Sequence, residues 1–250
     1  MRLCVPIPCF FNKLPFEQAI YRIKELGFDN AETYSWAHID ATATHIALEE
    51  TGVELLSMCT SEFRMTDADF RQKWLDGLRE SCCFAKKLGV RRLITQVGQD
   101  TGMERAVQHE NIVKTLFEAR GILEESGVTV MLEPLNTYVN HPGYYLTSSM
   151  EAFDIIHEVN HPLVKIVFDI YHQQISEGNI IPNIVNNLDC IAHLHSAGHP
   201  GRHELQYGEN DYKVIFDAVD KAGYTGACGL EYSPLLPPEE SLKTAKKLYG

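Results

Sequence analysis

Short apolar runs rich in β-branched residues recur along this chain, and between them lie longer stretches whose apolar positions repeat at helical spacing. Residues 3–7 read as a first strand, and PFEQAIYRIKEL (15–26) reads as a helix that Gly27 stops. The unit then returns as a strand over 28–34 carrying Glu32 and a helix over 40–50 that ends at Gly52. VELLSMC (53–59) is a third strand, and a long amphipathic helix over 68–88 runs to Gly89. RRLITQV follows as a fourth strand, with further strands expected over 128–133, 164–169, 191–195 and 227–231. Helices are expected over 104–125, 148–159 and 212–222, and a weaker one over 181–188. Strands joined by crossovers this long pair in parallel. Eight of them predict an α/β fold of the closed (β/α)8 TIM barrel type. A doubly wound open sheet also alternates, but no G-x-G-x-x-G turn opens the first helix. The 250 residues suit one such barrel, so a single domain over 1–250 is expected.

Four of the predicted strands end in polar groups. VKIVFDIYHQQ (164–174) runs out at Asp169, with His172 three residues on; VTVMLEP ends in Glu133, CIAHLHS in His195 and ACGLEY in Glu231. The successive gaps of 36, 26 and 36 residues are each about one strand, one helix and two loops. In a parallel barrel those ends converge on the face where active sites are built. The two long stretches without periodicity, PLNTYVNHPGYYLT (134–147) and SAGHPGRHELQYGEN (196–210), follow two of these ends and are placed to shape the same face.

Three carboxylates and one imidazole make a hard, oxygen-rich donor set. Glu133, Asp169, His195 and Glu231 are therefore candidate ligands of one divalent cation, Mn²⁺ or Mg²⁺ first and Co²⁺ next. Zinc is less suited, since no Cys-x-x-Cys pair is present. Charged strand ends often do no more than meet solvent, but four in successive units argue against that here. His172 lies past its strand end, where a ligand, a hydrogen-bond donor to a substrate oxygen and a solvated loop residue are all open; the donor role suits it best. His193 sits one layer beneath His195, as a supporting or core histidine. The period of two that turns Asp169 inward also turns Lys165 inward, a charge with no evident partner.

A net charge of −12 with no Lys/Arg-rich block disfavours nucleic acid as a partner. No apolar run approaches the roughly 18–20 residues of a membrane span, so no membrane association is expected. The opening MRLCVPIPCFF reads as a strand rather than a signal peptide. Seven cysteines, an odd number mostly in apolar contexts, fit reduced thiols and a cytoplasmic protein.

The motifs LEPLN, NHPGYYL, FDIYHQQ, HLHSAGHPGRHE, YGENDY and GLEY together resemble the hydroxypyruvate isomerase group of the sugar isomerase/epimerase superfamily, whose members are xylose-isomerase-like barrels. The resemblance covers nearly the whole chain and is most specific over residues 128–232. It implies one divalent metal held at the positions of Glu133, Asp169, His195 and Glu231, and a dimeric or tetrameric assembly. By similarity to ketose 3-epimerases, Glu133 and Glu231 are the catalytic pair that exchanges the substrate proton from opposite faces, while His172 and Arg202 hold substrate oxygens. Two positions depart from one branch or the other. His195 stands where hydroxypyruvate isomerases usually carry Gln, and Val139 stands where ketose 3-epimerases usually carry Glu. The CTSEF and TQVGQ stretches lack the additional histidines that endonuclease IV needs for its three-zinc cluster. The expected activity is metal-dependent proton transfer next to the carbonyl of a small ketose or hydroxy-keto acid. A cyclitol dehydratase or lyase and a catalytically silent sugar-binding barrel are its rivals.

Overall fold

The computed structural model describes residues 1–250. Its eight strands are β1 (Arg2–Pro6), β2 (Asn30–Glu32), β3 (Glu54–Cys59), β4 (Arg92–Thr95), β5 (Thr129–Leu132), β6 (Val164–Asp169), β7 (Ile191–Ser196) and β8 (Ala227–Leu230). All neighbours are parallel, and β8 pairs back onto β1 to close the barrel in sequence order.

Alternation along the strands separates two interiors. Outward-facing residues join the helices in one continuous core of 63 buried residues, so the fold's apolar burial lies mainly outside the barrel wall. Inside the wall the apolar clusters are small, Cys4 with Leu56 and Ala227, and Ile94 with Met131 and Val167. Polar side chains occupy the layer above them. The helix Arg71–Lys87 shows how the outer core is built: Trp74, Leu75, Leu78, Cys82 and Ala85 repeat at helical spacing and are all buried. Each large apolar side chain there contributes about 1.5–3 kcal/mol. Trp74 Nε1 also donates to Thr95 Oγ1 at 3.2 Å, fixing this helix to the top of β4.

Two short helices stand where none was expected, Ile7–Phe10 and Ile170–Ser176, and the eighth helix that the (β/α)8 pattern requires after β8 is Pro238–Tyr249. The last has Pro at its start, Glu239 and Glu240 in its first turn and Lys246 and Lys247 in its last, a charge order that suits the helix dipole. The helix over 68–88 begins as a 3₁₀ turn, Ala68–Phe70, before the α-helix proper. Lys165 does not carry an unpartnered buried charge. It lies at the first turn of the barrel wall, half-buried, and its Nζ donates to the Asp189 carbonyl at 2.6 Å. No helix is long and apolar enough to cross a membrane.

Candidate active site

Each functional side chain is delivered by a strand end and fixed by the backbone around it. Asp169 closes β6 and caps the helix Ile170–Ser176, its Oδ1 accepting from the amides of Tyr171 (2.8 Å) and His172 (3.4 Å). Its other oxygen, Oδ2, is buried without a hydrogen-bond partner. Glu133 follows β5: its amide donates to the Thr95 carbonyl at 3.1 Å and its own carbonyl accepts from the Tyr144 hydroxyl at 3.0 Å. Glu231 follows β8 in the same way, its amide donating to Ser196 O at 2.9 Å. His195 comes from within β7, so its direction is set by the ladder itself.

These four residues converge. One ligand atom from each of Glu133, Asp169, His195 and Glu231 lies within 4.8 Å of the others. His195 Nδ1 stands 3.2 Å from Glu231 Oε2 and 3.4 Å from Glu133 Oε1, yet has no hydrogen-bond partner of its own. Buried polar atoms without partners cost roughly 1–3 kcal/mol each. The orphaned Asp169 Oδ2 and His195 Nδ1, together with two further carboxylates, fit a hard divalent cation that would satisfy all of them.

The charges are strongly coupled. Burial, followed by the Glu231 charge, raises Asp169 to about 7, and burial likewise lifts Glu133 above the ordinary carboxyl range. Burial also opposes ionisation of Glu231, but His195 and then Arg202 outweigh it and hold this carboxyl well below its usual range. For His195, burial disfavours the imidazolium, and Glu32 and Glu231 outweigh it to raise the ring well above the usual value. Two neighbouring carboxyls are thus driven in opposite directions.

His172 is buried and neutral. Burial, followed by the Arg202 charge, lowers it well below the ordinary value. Its Nδ1 accepts from the Asn136 backbone amide at 3.2 Å and lies 2.6 Å from Asn136 Nδ2. That places the proton on Nε2, which points toward Asp169 Oδ2 at 3.5 Å with no hydrogen bond of its own. Arg202 lies in the long loop after β7 with φ 57°. Its Nη2 donates to Glu231 Oε2 at 2.8 Å and its Nε to the Glu231 carbonyl at 3.3 Å, while the guanidinium carbon lies 5.1 Å from the Tyr171 ring centroid. The loop is held by Glu204, which accepts from the amides of Leu235 and Leu236.

Two participants were not singled out from the sequence. Glu32, at the end of β2, takes a hydrogen bond from Ser57 Oγ (2.9 Å), sits 2.8 Å from His193 Nε2 and places Oε1 3.3 Å from His195 Nε2. It stands behind His195, on the side away from the ligand cluster. Gly229 makes room for it: a Cβ there would come within 2.1 Å of Glu32 Oε1 and 2.7 Å of His195 Cδ2. A register shift between Ala31 and Glu32 pairs Glu32 with Ser57, and a three-residue strand offers too little alternation for that to be read from sequence. Above the cluster opens a cavity of about 720 Å³, whose wall includes Tyr34, Trp36, Thr60, Phe63 and Gln96. That size suits a small ligand.

The site and fold define a class. Residues 20–248 match the family model described as xylose isomerase-like TIM barrel, and the chain belongs to this family. It is 31% identical over 264 residues to a putative hydroxypyruvate isomerase of Danio rerio, covering 100% of this chain and 96% of that protein. It is 37% identical over 147 residues to a 2-oxo-tetronate isomerase of Cupriavidus necator, covering 59% of this chain and 56% of that one. Among solved structures, a Brucella melitensis protein described as an AP endonuclease of family 2 superposes with TM-score 0.93 at 27% identity, covering 98% of each chain.

Proposed function

We propose that this protein is a metal-dependent isomerase or epimerase of a small hydroxy-keto acid or ketose, most similar in chemistry to hydroxypyruvate isomerase. The carrying observation is the cluster of Glu133, Asp169, His195 and Glu231, of which Glu133, His195 and Glu231 line the cavity. The names of the relatives support the same substrate class. A bound Mn²⁺, Mg²⁺ or Co²⁺ would polarise the substrate carbonyl and its neighbouring hydroxyl, which acidifies the C–H between them.

The rest falls to the chain. Of Glu133 and Glu231, one takes the proton and the other returns one; His195 and Arg202 favour the ionised form of Glu231, whereas burial opposes ionisation of Glu133. His172 donates its Nε2–H to a substrate oxygen. Arg202 uses two of its five N–H donors on Glu231, and the others are free to receive a substrate carboxylate. The same geometry speaks against a nucleic-acid substrate. The cavity wall at and after the ends of β3 and β4 is made of Cys59, Thr60, Ser61, Phe63, Ile94 and Gln96, none of them an imidazole, on a chain of net charge −12.

The test is an NMR screen in D₂O with Mn²⁺ over hydroxypyruvate, tartronate semialdehyde, C4 to C6 ketoses and inososes. Isomerised or epimerised product with deuterium at the reacting carbon is expected, and Glu133→Gln and Glu231→Gln should each lower turnover far more than substrate binding. Loss of water from an inosose would instead establish the lyase. Absence of deuterium uptake across the panel, or wild-type turnover in both metal-loaded variants, would overturn the mechanism.

A further inference from the structure

At the end of the barrel opposite the acidic cluster, one cavity is lined by cations; Glu54, at the first position of β3 on the same end, is exposed and lies outside its wall. Arg2, Arg92 and Lys165 stand at or beside the first positions of β1, β4 and β6, and all three line one cavity of about 430 Å³. Alternation explains the convergence: each lies two residues before Cys4, Ile94 and Val167, whose side chains fill the barrel interior. The three cations therefore face the barrel axis from below. No Asp or Glu is in the wall of this cavity, whereas the cavity at the other end includes Glu80, Glu133 and Glu231.

None of the three is neutralised by the fold. Arg2 donates to the carbonyls of Thr225 (3.0 Å) and Gly226 (3.5 Å), and Lys165 to that of Asp189 (2.6 Å). Backbone carbonyls orient these groups but carry no net charge to offset them. Arg92 makes no side-chain hydrogen bond, and both it and Arg2 act on the same buried phenol, Tyr224, which burial raises and these two charges pull back. Like charges gathered in one cavity repel one another, and an anion between them would relieve that repulsion.

We propose that this basal cavity is a binding site for a multiply charged oxyanion of the phosphate type. Two guanidinium forks and an ammonium supply planar and point donors to a tetrahedral oxyanion, and their combined charge exceeds that of a phosphate dianion. The site is separated from the acidic centre by the packed Ile94, Met131 and Val167, so its ligand is not the substrate of that centre.

The test is isothermal titration of the full chain with inorganic phosphate and, in a second arm, with a phosphomonoester such as a sugar phosphate. One saturable site per chain is expected in at least one arm, weakening as NaCl is raised. Arg92→Ala and Lys165→Ala should each lower that affinity at least tenfold. Arg2→Gln changes an exposed side chain outside the core and should also lower it, which keeps the test available should Arg92→Ala fail to fold. Arg202→Ala, at the other end of the barrel, should leave it unchanged. No saturable binding in either arm, equal affinity in wild type and Arg2→Gln, or loss confined to Arg202→Ala would overturn the assignment. Preference for one arm identifies whether free phosphate or an ester is the ligand.

Discussion

Changing Glu32 to Gln tests whether the metal centre depends on a residue that never touches the metal. His195 presents Nδ1 to the carboxylate cluster and Nε2 to Glu32 Oε1 at 3.3 Å, so Glu32 is placed to fix the ring's rotation and keep the proton on Nε2. Burial would raise Glu32, but His195 and then His193 outweigh burial and hold its carboxyl below the usual range. Gln preserves the volume behind Gly229 but replaces one carboxylate oxygen with an NH₂. That group faces either His193 Nε2, now 2.8 Å from an oxygen, or His195 Nε2. One imidazole thus has an NH₂ beside its Nε2 in place of a carboxylate oxygen. Loss of such an outer partner lowers metal affinity by about 10- to 100-fold, or about 1.4–2.7 kcal/mol. The assay is isothermal titration of Mn²⁺ into chelator-treated Glu32→Gln and wild type, with circular dichroism melting to show that the barrel is intact. A folded variant that binds Mn²⁺ as tightly as wild type would refute the claim that Glu32 holds His195 in place.

Asp169→Ala and His195→Ala remove ligands rather than their support, so each should weaken metal binding by on the order of 100-fold or more, past the upper end for outer partners; unchanged metal content by native mass spectrometry would remove the residue from the centre. Arg202→Ala should raise KM for a keto-acid substrate by roughly 30-fold, about 2 kcal/mol, the low end for a charge pair because its side chain is 24% exposed. Arg202→Lys should recover only part of this, since the fork is lost; equal kinetics in wild type and Arg202→Ala would show that Arg202 serves Glu231 alone. Metal affinity should rise with pH. The metal-free protein holds protons on Asp169 up to about 7 and on His195 above its usual range, and a cation must displace them, so Kd should tighten at least about tenfold between about pH 6 and pH 7. A flat Kd over that interval would mean that these groups are already deprotonated without metal.

What the chain alone determined was the set of parts whose signal is local. A strand announces itself by a run of β-branched residues and a helix by its period and its glycine stop, so the eight-unit barrel follows from pattern. The spacing of Glu133, Asp169, His195 and Glu231 follows with it, because each sits at or beside a strand end whose direction parallel pairing prescribes. His172 was within reach because it lies just beyond such an end, whereas Arg202, in the loop after β7, came only from the resemblance carried by HLHSAGHPGRHE. What only the tertiary structure decided was which groups meet across the barrel and in what charge state. Glu32 and His195 are separated by most of the chain, and their meeting depends on β2 and β7 facing one another, on a register shift in β2 and on the missing Cβ of Gly229. The tautomer of His172 is set by Asn136, a neighbour in space whose contact no spacing rule foretells. Lys165 makes the same point from the other end: alternation correctly turned it inward, but whether an inward lysine is buried or reaches an open mouth depends on its height in the barrel, which emerges only when all eight strands close.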